Sequence, residues 1–187
     1  MKLIEFIATL VDLPTEAEKE IFAAFEKETF AKGDLILEKD KTCKKLYFVN
    51  EGLARSFYIN ENGKDITVWF FNSNSFLTAV ESFFEQAPSY YNIQTLEETE
   101  VYSITHKKIH ELFEKYHSME KFGRILSIKM INLLAEKLNS IQFQTADDRY
   151  QFMLKTYPDI AIKAPLGHIA SYLGITQETL SRIRAKH

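Results

Sequence analysis

The stretch Leu166-Gly-His-Ile-Ala-Ser-Tyr-Leu-Gly-Ile-Thr-Gln-Glu-Thr-Leu-Ser-Arg-Ile-Arg184 decides how this chain is read. Its spacing predicts two short helices joined by a tight turn. Ala170 falls where the first helix must pass close to the second. Gly174 falls at the turn, where a left-handed backbone costs glycine little. Ile169, Leu173, Ile175, Leu180 and Ile183 are apolar where the helices must pack together. A random helical hairpin meets one or two of these demands, and this segment meets all of them. The pattern is that of a helix-turn-helix, against the blander alternative of a core helix pair with no ligand.

The second helix carries the chemistry. Thr176 is placed to cap it, its hydroxyl accepting from an orphan backbone N–H. Gln177, Glu178, Ser181 and Arg182 project from the face not used for packing. Gln suits adenine, Glu the cytosine amino group and Arg guanine in a DNA major groove. Arg184 and Lys186, just beyond, suit phosphates. The competing reading of Glu178 and Arg182 is an ion pair four residues apart on a solvated face.

The 187 residues fit one large or two small domains, and 45% hydrophobic with 13% aromatic content is enough for a packed core. The net charge of −3 rules out a uniformly basic nucleic-acid binder. From Pro165 to His187, however, three basic residues face one acidic one, so the excess acid lies in residues 1–164. An acidic body with a basic tip fits a DNA reader that does not bind everywhere. Cys43 is the only cysteine, which excludes an internal disulfide and a cysteine cluster. The start of the chain lacks the apolar run of a signal peptide, and no stretch approaches the roughly 20 apolar residues of a membrane helix. A cytoplasmic protein with no membrane contact is expected.

Working back from the C-terminus, residues 147–156 read as a helix, and the segment from Met119 to Gln144 as the longest one. Its apolar residues (Met119, Phe122, Leu126, Met130, Ile131, Leu133, Leu134, Leu138, Ile141) spread over an arc wider than the roughly 100° stripe of a surface helix. Its own domain covers one side. A second copy of the helix is the natural cover for the other. Between Phe30 and Ile104 the period becomes strand-like, with runs at Asp34–Leu37, Lys45–Val49, Leu53–Ile59, Ile66–Phe71, Tyr91–Leu96 and Glu100–Ile104. Asn62-Gly63 marks a hairpin, and the spacing suggests a barrel or jelly roll. Ser75–Glu85 reads as a short helix between strands, and residues 107–116 as another. Two helices are expected at the N-terminus, the second opened by a Thr15–Glu18 capping box.

This order resembles the Crp/Fnr family of bacterial transcription regulators over nearly the whole chain. Lys32-Gly33-Asp34-Leu35-Ile36 and Leu46-Tyr-Phe-Val-Asn-Glu-Gly-Leu-Ala-Arg55 look like the opening strands of the family's cyclic-nucleotide-binding barrel. Ile169–Arg184 looks like its helix-turn-helix. The resemblance implies an α+β fold: a sensor jelly roll over 1–117, a dimerisation helix over 118–145 and a DNA-binding domain over 146–187. It also puts the family's three base-reading positions on Gln177, Glu178 and Arg182. The first is usually arginine in the best-known branch, so no DNA sequence is transferred.

At the ligand cassette this chain departs from the pattern. Cyclic-nucleotide binders use a Gly-Glu pair for the ribose and, about ten residues on, an arginine for the cyclic phosphate. Here the segment runs Phe76-Leu-Thr78-Ala79-Val-Glu81-Ser-Phe-Phe-Glu-Gln-Ala-Pro-Ser89-Tyr90. Thr78-Ala79 replaces Gly-Glu, and Ser89 or Tyr90 replaces the arginine. No Arg or Lys lies between Asp65 and Lys107. Arg55 is read as a surface strand residue and Cys43 as a thiol in a polar loop. Tight cyclic AMP binding is not expected. Phe76, Thr78, Ala79, Glu81, Ser89 and Tyr90 are the candidate pocket residues, read in preference as packed core, and any effector is unidentified.

An enzyme is the first rival reading. A metal-dependent jelly-roll enzyme needs histidines on barrel strands, and none of His106, His110, His117, His168 and His187 falls there. No HExxH, glycine-rich phosphate loop or Ser-His-Asp set occurs. No metal, cofactor or catalysis is expected. A module that binds an effector or a protein and has lost specific DNA binding is the second rival, suggested by the sequence ending at His187. The reading preferred is a homodimer that binds a near-palindromic DNA operator, with RNA polymerase as a further partner.

Overall fold

The computed structural model describes residues 3–186. Met1, Lys2 and His187, which the expected domain ranges include, lie outside the described residues. Helices α1 (Leu3–Ala8) and α2 (Thr15–Ala24) come first. Strands β1 (Glu26–Phe30), β2 (Leu35–Leu37), β3 (Lys45–Glu51), β4 (Leu53–Ile59), β5 (Asp65–Asn72) and β6 (Ser75–Leu77) follow. After α3 (Val80–Glu85), the strands β7 (Asn92–Thr95) and β8 (Thr99–Thr105) complete the set. The helices α4 (His106–Lys115), α5 (His117–Phe143), α6 (Ala146–Thr156), α7 (Ile160–Lys163), α8 (Leu166–Leu173) and α9 (Gln177–Arg184) close the chain.

The strands form two antiparallel four-stranded sheets, β1-β8-β3-β6 and β2-β7-β4-β5, a jelly-roll order. Each sheet is covered on its outer face by a different end of the chain. On the first, Phe48 pairs in register with Phe76 and Tyr102. Phe6 from α1, Phe22 from α2 and Phe122 from α5 meet these rings at centroid distances of 5.3–5.9 Å within the cluster. On the second sheet Leu53, Phe70 and Leu96 share one apolar cluster with Met153, Tyr157, Ile169 and Leu173 of the C-terminal helices. The C-terminal domain is thus packed on the barrel and not tethered beside it.

Several details differ from the sequence reading. Strand β1 was not expected, because Glu26-Lys-Glu-Thr-Phe30 lacks an apolar alternation; its pairing with β8 makes it a charged edge strand. Ser75–Leu77 pairs with β3, so only Val80–Glu85 of the expected helix is helical. No Thr15 cap forms: Thr15 lies inside α2 after Pro14. The capping box is at Thr145 and Asp148, opening α6. In the hairpin after β4 only Gly63 takes a positive φ, at 73°.

Candidate nucleic-acid interface and effector cleft

Helices α8 and α9 stand where the spacing put them. Ile169, Ala170, Leu173, Leu180 and Ile183 are buried between them and the body. Gly174 ends α8 at φ 68°, and its N–H donates to the carbonyls of Ala170 and Ser171. Ile175 N–H donates to Ala170 O at 3.0 Å. This left-handed close satisfies carbonyls that a helix end leaves unpaired. Thr176 Oγ1 accepts from Thr179 N at 3.2 Å and caps α9.

Thr176, Gln177, Glu178, Ser181, Arg182 and Lys186 are all exposed along one side of this pair. The Glu178–Arg182 side-chain ion pair is not formed among the described residues; instead Arg182 Nε donates to the Glu178 carbonyl at 3.4 Å. A hydrogen bond from Thr176 holds the Glu178 carboxyl below its usual pKa, with a smaller push from the Arg182 charge. Arg184 differs from the expectation of a free phosphate contact. Its Nη2 donates to the Ala161 carbonyl at 2.6 Å, so its guanidinium is already engaged with α7. Gly167 is a residue the sequence reading missed. A Cβ there would sit 3.1 Å from Gln177 Nε2, so the glycine makes room for the Gln177 amide against the first turn of α8.

The cassette residues are split. Ala79, Glu81, Ser89 and Tyr90 line a shallow cleft of about 30 Å³ with Val80, Ser82, Pro88 and Tyr91. That is below the roughly 300–1,000 Å³ of ordinary ligand sites. Phe76 is not in it: it faces α1 and α5 on the opposite side of its sheet. Thr78 is turned to Cys43 Sγ at 3.3 Å and to the Lys45 carbonyl. The cassette's polar groups bond one another. Ser82 Oγ donates to Ala87 O at 2.5 Å and accepts from Cys43 N, while Ser89 Oγ donates to Tyr91 O. Cys43 lies in the loop before β3, as expected, but at 2% exposed it is a buried packing residue and not an exposed thiol.

Arg55 overturns another expectation. It is 2% exposed on the outer face of the second sheet. Its guanidinium grips Asp65 through two bonds of 2.5 and 2.7 Å, donates to Thr67 Oγ1 and Gln94 Oε1, and stacks 4.0 Å from the Phe57 ring centre. Its Nε has no hydrogen-bond partner among the described residues. An outward strand position reads as surface until something covers it, and here α8 does. Burial first, and the Arg55 charge second, lower the pKa of His168 on that helix.

No group of three or more His, Cys, Asp or Glu able to hold a metal occurs among the described residues. Nor is any described helix long and apolar enough to cross a membrane.

Residues 27–116 match the cyclic nucleotide-binding domain family. No curated protein matches the chain in sequence. Among solved structures, FixK2 from Bradyrhizobium japonicum superposes with a TM-score of 0.73 at 17% identity, covering 87% of this chain and 83% of its own. A Crp/Fnr family transcriptional regulator from Eubacterium rectale gives 0.70 at 18% identity, covering 92% and 82%. The catabolite activator protein of Thermus thermophilus gives 0.61 at 16% identity, covering 97% and 85%. At these identities the likeness is one of fold, and it extends past the barrel to the C-terminal helices. Residues 27–116 are thus similar to the cyclic nucleotide-binding domain family, and the chain has the fold of the Crp/Fnr transcription regulators.

Proposed function

We propose that this chain is a cytoplasmic, homodimeric, sequence-specific DNA-binding transcription regulator of the Crp/Fnr type that does not respond to cyclic AMP. Residues 1–117 act as the sensor barrel, 118–145 as the dimerisation helix and 146–187 as the DNA-binding domain, with RNA polymerase as the partner at the promoter. It is not an enzyme.

One observation carries the reading: Leu180 and Ile183 bury one side of α9 while Gln177, Glu178, Ser181 and Arg182 stand open on the other. Those side chains are donors and acceptors suited to base edges, and Lys186 extends the same end toward phosphates. A second observation supports the dimer. Ile131, Leu134, Leu138 and Ile141 on α5 are 52–62% exposed and repeat at three- and four-residue steps. That is the seam of a two-stranded coiled coil. Two copies joined there present two α9 helices to successive major grooves, roughly 34 Å apart.

The case against cyclic AMP is electrostatic. A cyclic phosphate needs a cation or free N–H groups. The cassette cleft has no Lys or Arg in its lining. Arg55, the arginine of β4, is committed to Asp65 on the outer face.

Replacing Arg182 by Ala tests the base-reading role. The expected loss is about 1–3 kcal/mol in specific binding with relaxed preference at one base pair. An unchanged binding profile removes Arg182 from the reading set.

A further inference from the structure

Strand β5 carries one residue more than its partner. Ser56 pairs with Trp69 and Phe57 with Thr67, so Val68 is a bulge without a cross-strand partner. A bulge on an edge strand leaves backbone groups outside the ladder, and buried ones must be satisfied elsewhere. Here two different helices satisfy them. Thr67 N–H donates to Ser171 Oγ on α8 at 3.1 Å. The Val68 carbonyl accepts from Lys137 Nζ on α5. The same ammonium lies 4.1 Å from the ring centre of Tyr172 on α8 and 5.2 Å from that of Trp69 on β5. One cation therefore touches the barrel, the long helix and the first helix of the C-terminal pair.

Nothing about filling space requires a charge at this point. Lys137 is half-buried and burial alone acts on its titration, with no opposing carboxylate among the described residues. Desolvating a cation that has no carboxylate beside it is unfavourable, so a methionine of similar length would fill the same space without that cost. What the ammonium adds is direction. The apolar contact of Leu53, Phe70 and Leu96 with Tyr157 and Leu173 holds the two domains together, and such contact is non-directional. The bonds at the bulge have fixed geometry. Lys137 is also flanked by Leu134 and Leu138, so the open apolar seam and the joint occupy the same turn of α5.

We propose that this joint fixes the angle at which α9 is presented relative to α5, and that Lys137 is the positioning residue that sets the distance between the two DNA readers of the dimer. The inference rests on the dimeric DNA-reading function proposed above.

Two measurements on the full chain test it, each on the wild type, K137M and K137R. The first is hydrogen exchange, which needs no DNA. K137M is expected to speed exchange about tenfold in the segments of β5 and α8 while leaving β3 and β8 unchanged, because only the joint opens. K137R, which keeps a cation on the aromatic faces, stays close to wild type. Exchange in β5 and α8 that is unchanged in K137M, or that rises equally in β3 and β8, overturns the joint. The second measurement is selection from duplex pools in which two half-sites are separated by a variable spacer. Wild type and K137R are expected to enrich one spacing. K137M is expected to enrich the same half-site bases over a broad range of spacings, which a general loss of stability does not produce. Retention of the single spacing by K137M overturns the positioning role. If the wild type enriches no half-site, the DNA-reading function fails, the positioning of readers is refuted with it, and exchange judges the mechanical joint alone.

Discussion

Replacing Leu134 by Asp separates two consequences that are usually entangled. In the single chain Leu134 is 52% exposed, so the substitution removes little packing and changes monomer stability by about 0.5 kcal/mol or less. In the proposed dimer it is a seam residue. Full burial of a Leu or Ile stabilises by about 1.5–3 kcal/mol, so closing the open half of each contributes roughly 1 kcal/mol. Ile131, Leu134, Leu138 and Ile141 from both chains then contribute about 8 kcal/mol in all. Association costs at least about 4 kcal/mol in lost freedom. Losing Leu134 twice removes about 2 kcal/mol, and two facing carboxylates in a desolvated seam add a further penalty of about 2 kcal/mol or more. The dimer dissociation constant should rise by about a thousandfold. Sedimentation equilibrium reads this directly, because one chain weighs 21.8 kDa. The margin left, about 4 kcal/mol, corresponds to a dissociation constant of about 1 mM, so wild type should move toward twice that mass at millimolar concentration, and L134D should stay at the mass of one chain with an unchanged circular dichroism spectrum. A wild type that stays monomeric, or an L134D protein that dimerises as tightly, refutes the seam.

Other expectations follow from single sites. Gly52 takes φ 122°, and a Cβ there would fall 2.6 Å from Thr99 Oγ1 and 2.7 Å from Thr99 Cα. G52A should lose at least about 2 kcal/mol in urea unfolding, and a loss below half of that refutes the strain. Burial holds the Lys137 ammonium pKa at about 8 against 10.5 when exposed. The folded chain then binds fewer protons than the unfolded one between those values, so its stability rises with pH across that window. The contribution is complete above 10.5 and is lost as pH falls through 8. The stability of wild type measured relative to K137M should rise from pH 8 to 10.5 by at most about 3–4 kcal/mol, less whatever the two aromatic faces return to the charged form. A flat difference contradicts it. Millimolar cyclic AMP should leave the melting temperature unchanged, and a dose-dependent rise would show that the cassette binds it.

What the sequence revealed follows from how local each feature is. The α8–α9 pair was legible because its constraints lie within a few residues: Ala170 at the crossing, Gly174 at the turn, Thr176 at the cap. The long helix was legible from its own apolar arc. Arg55 was misread because its covering helix lies more than a hundred residues on, and alternation along β4 cannot report it. Shorter separations did the same elsewhere: 23 residues hid the engagement of Arg184 with Ala161, and 35 and 39 residues hid the contacts of Cys43 with Thr78 and Ser82. The Val68 bulge left no mark in composition or period, since one extra residue in a run of apolar and aromatic side chains is invisible until a partner strand sets the register. The candidate pocket residues are split for a related reason. Phe76 was grouped with the cassette by sequence, and strand β6 turns it to the other face of its sheet.

The most direct test of the account is enrichment of a random duplex DNA pool by the purified protein with no ligand added. The account predicts a two-fold symmetric motif whose half-sites lie one helical turn apart, about 10 base pairs between centres. Retention without an enriched motif, or no retention at all, would contradict it.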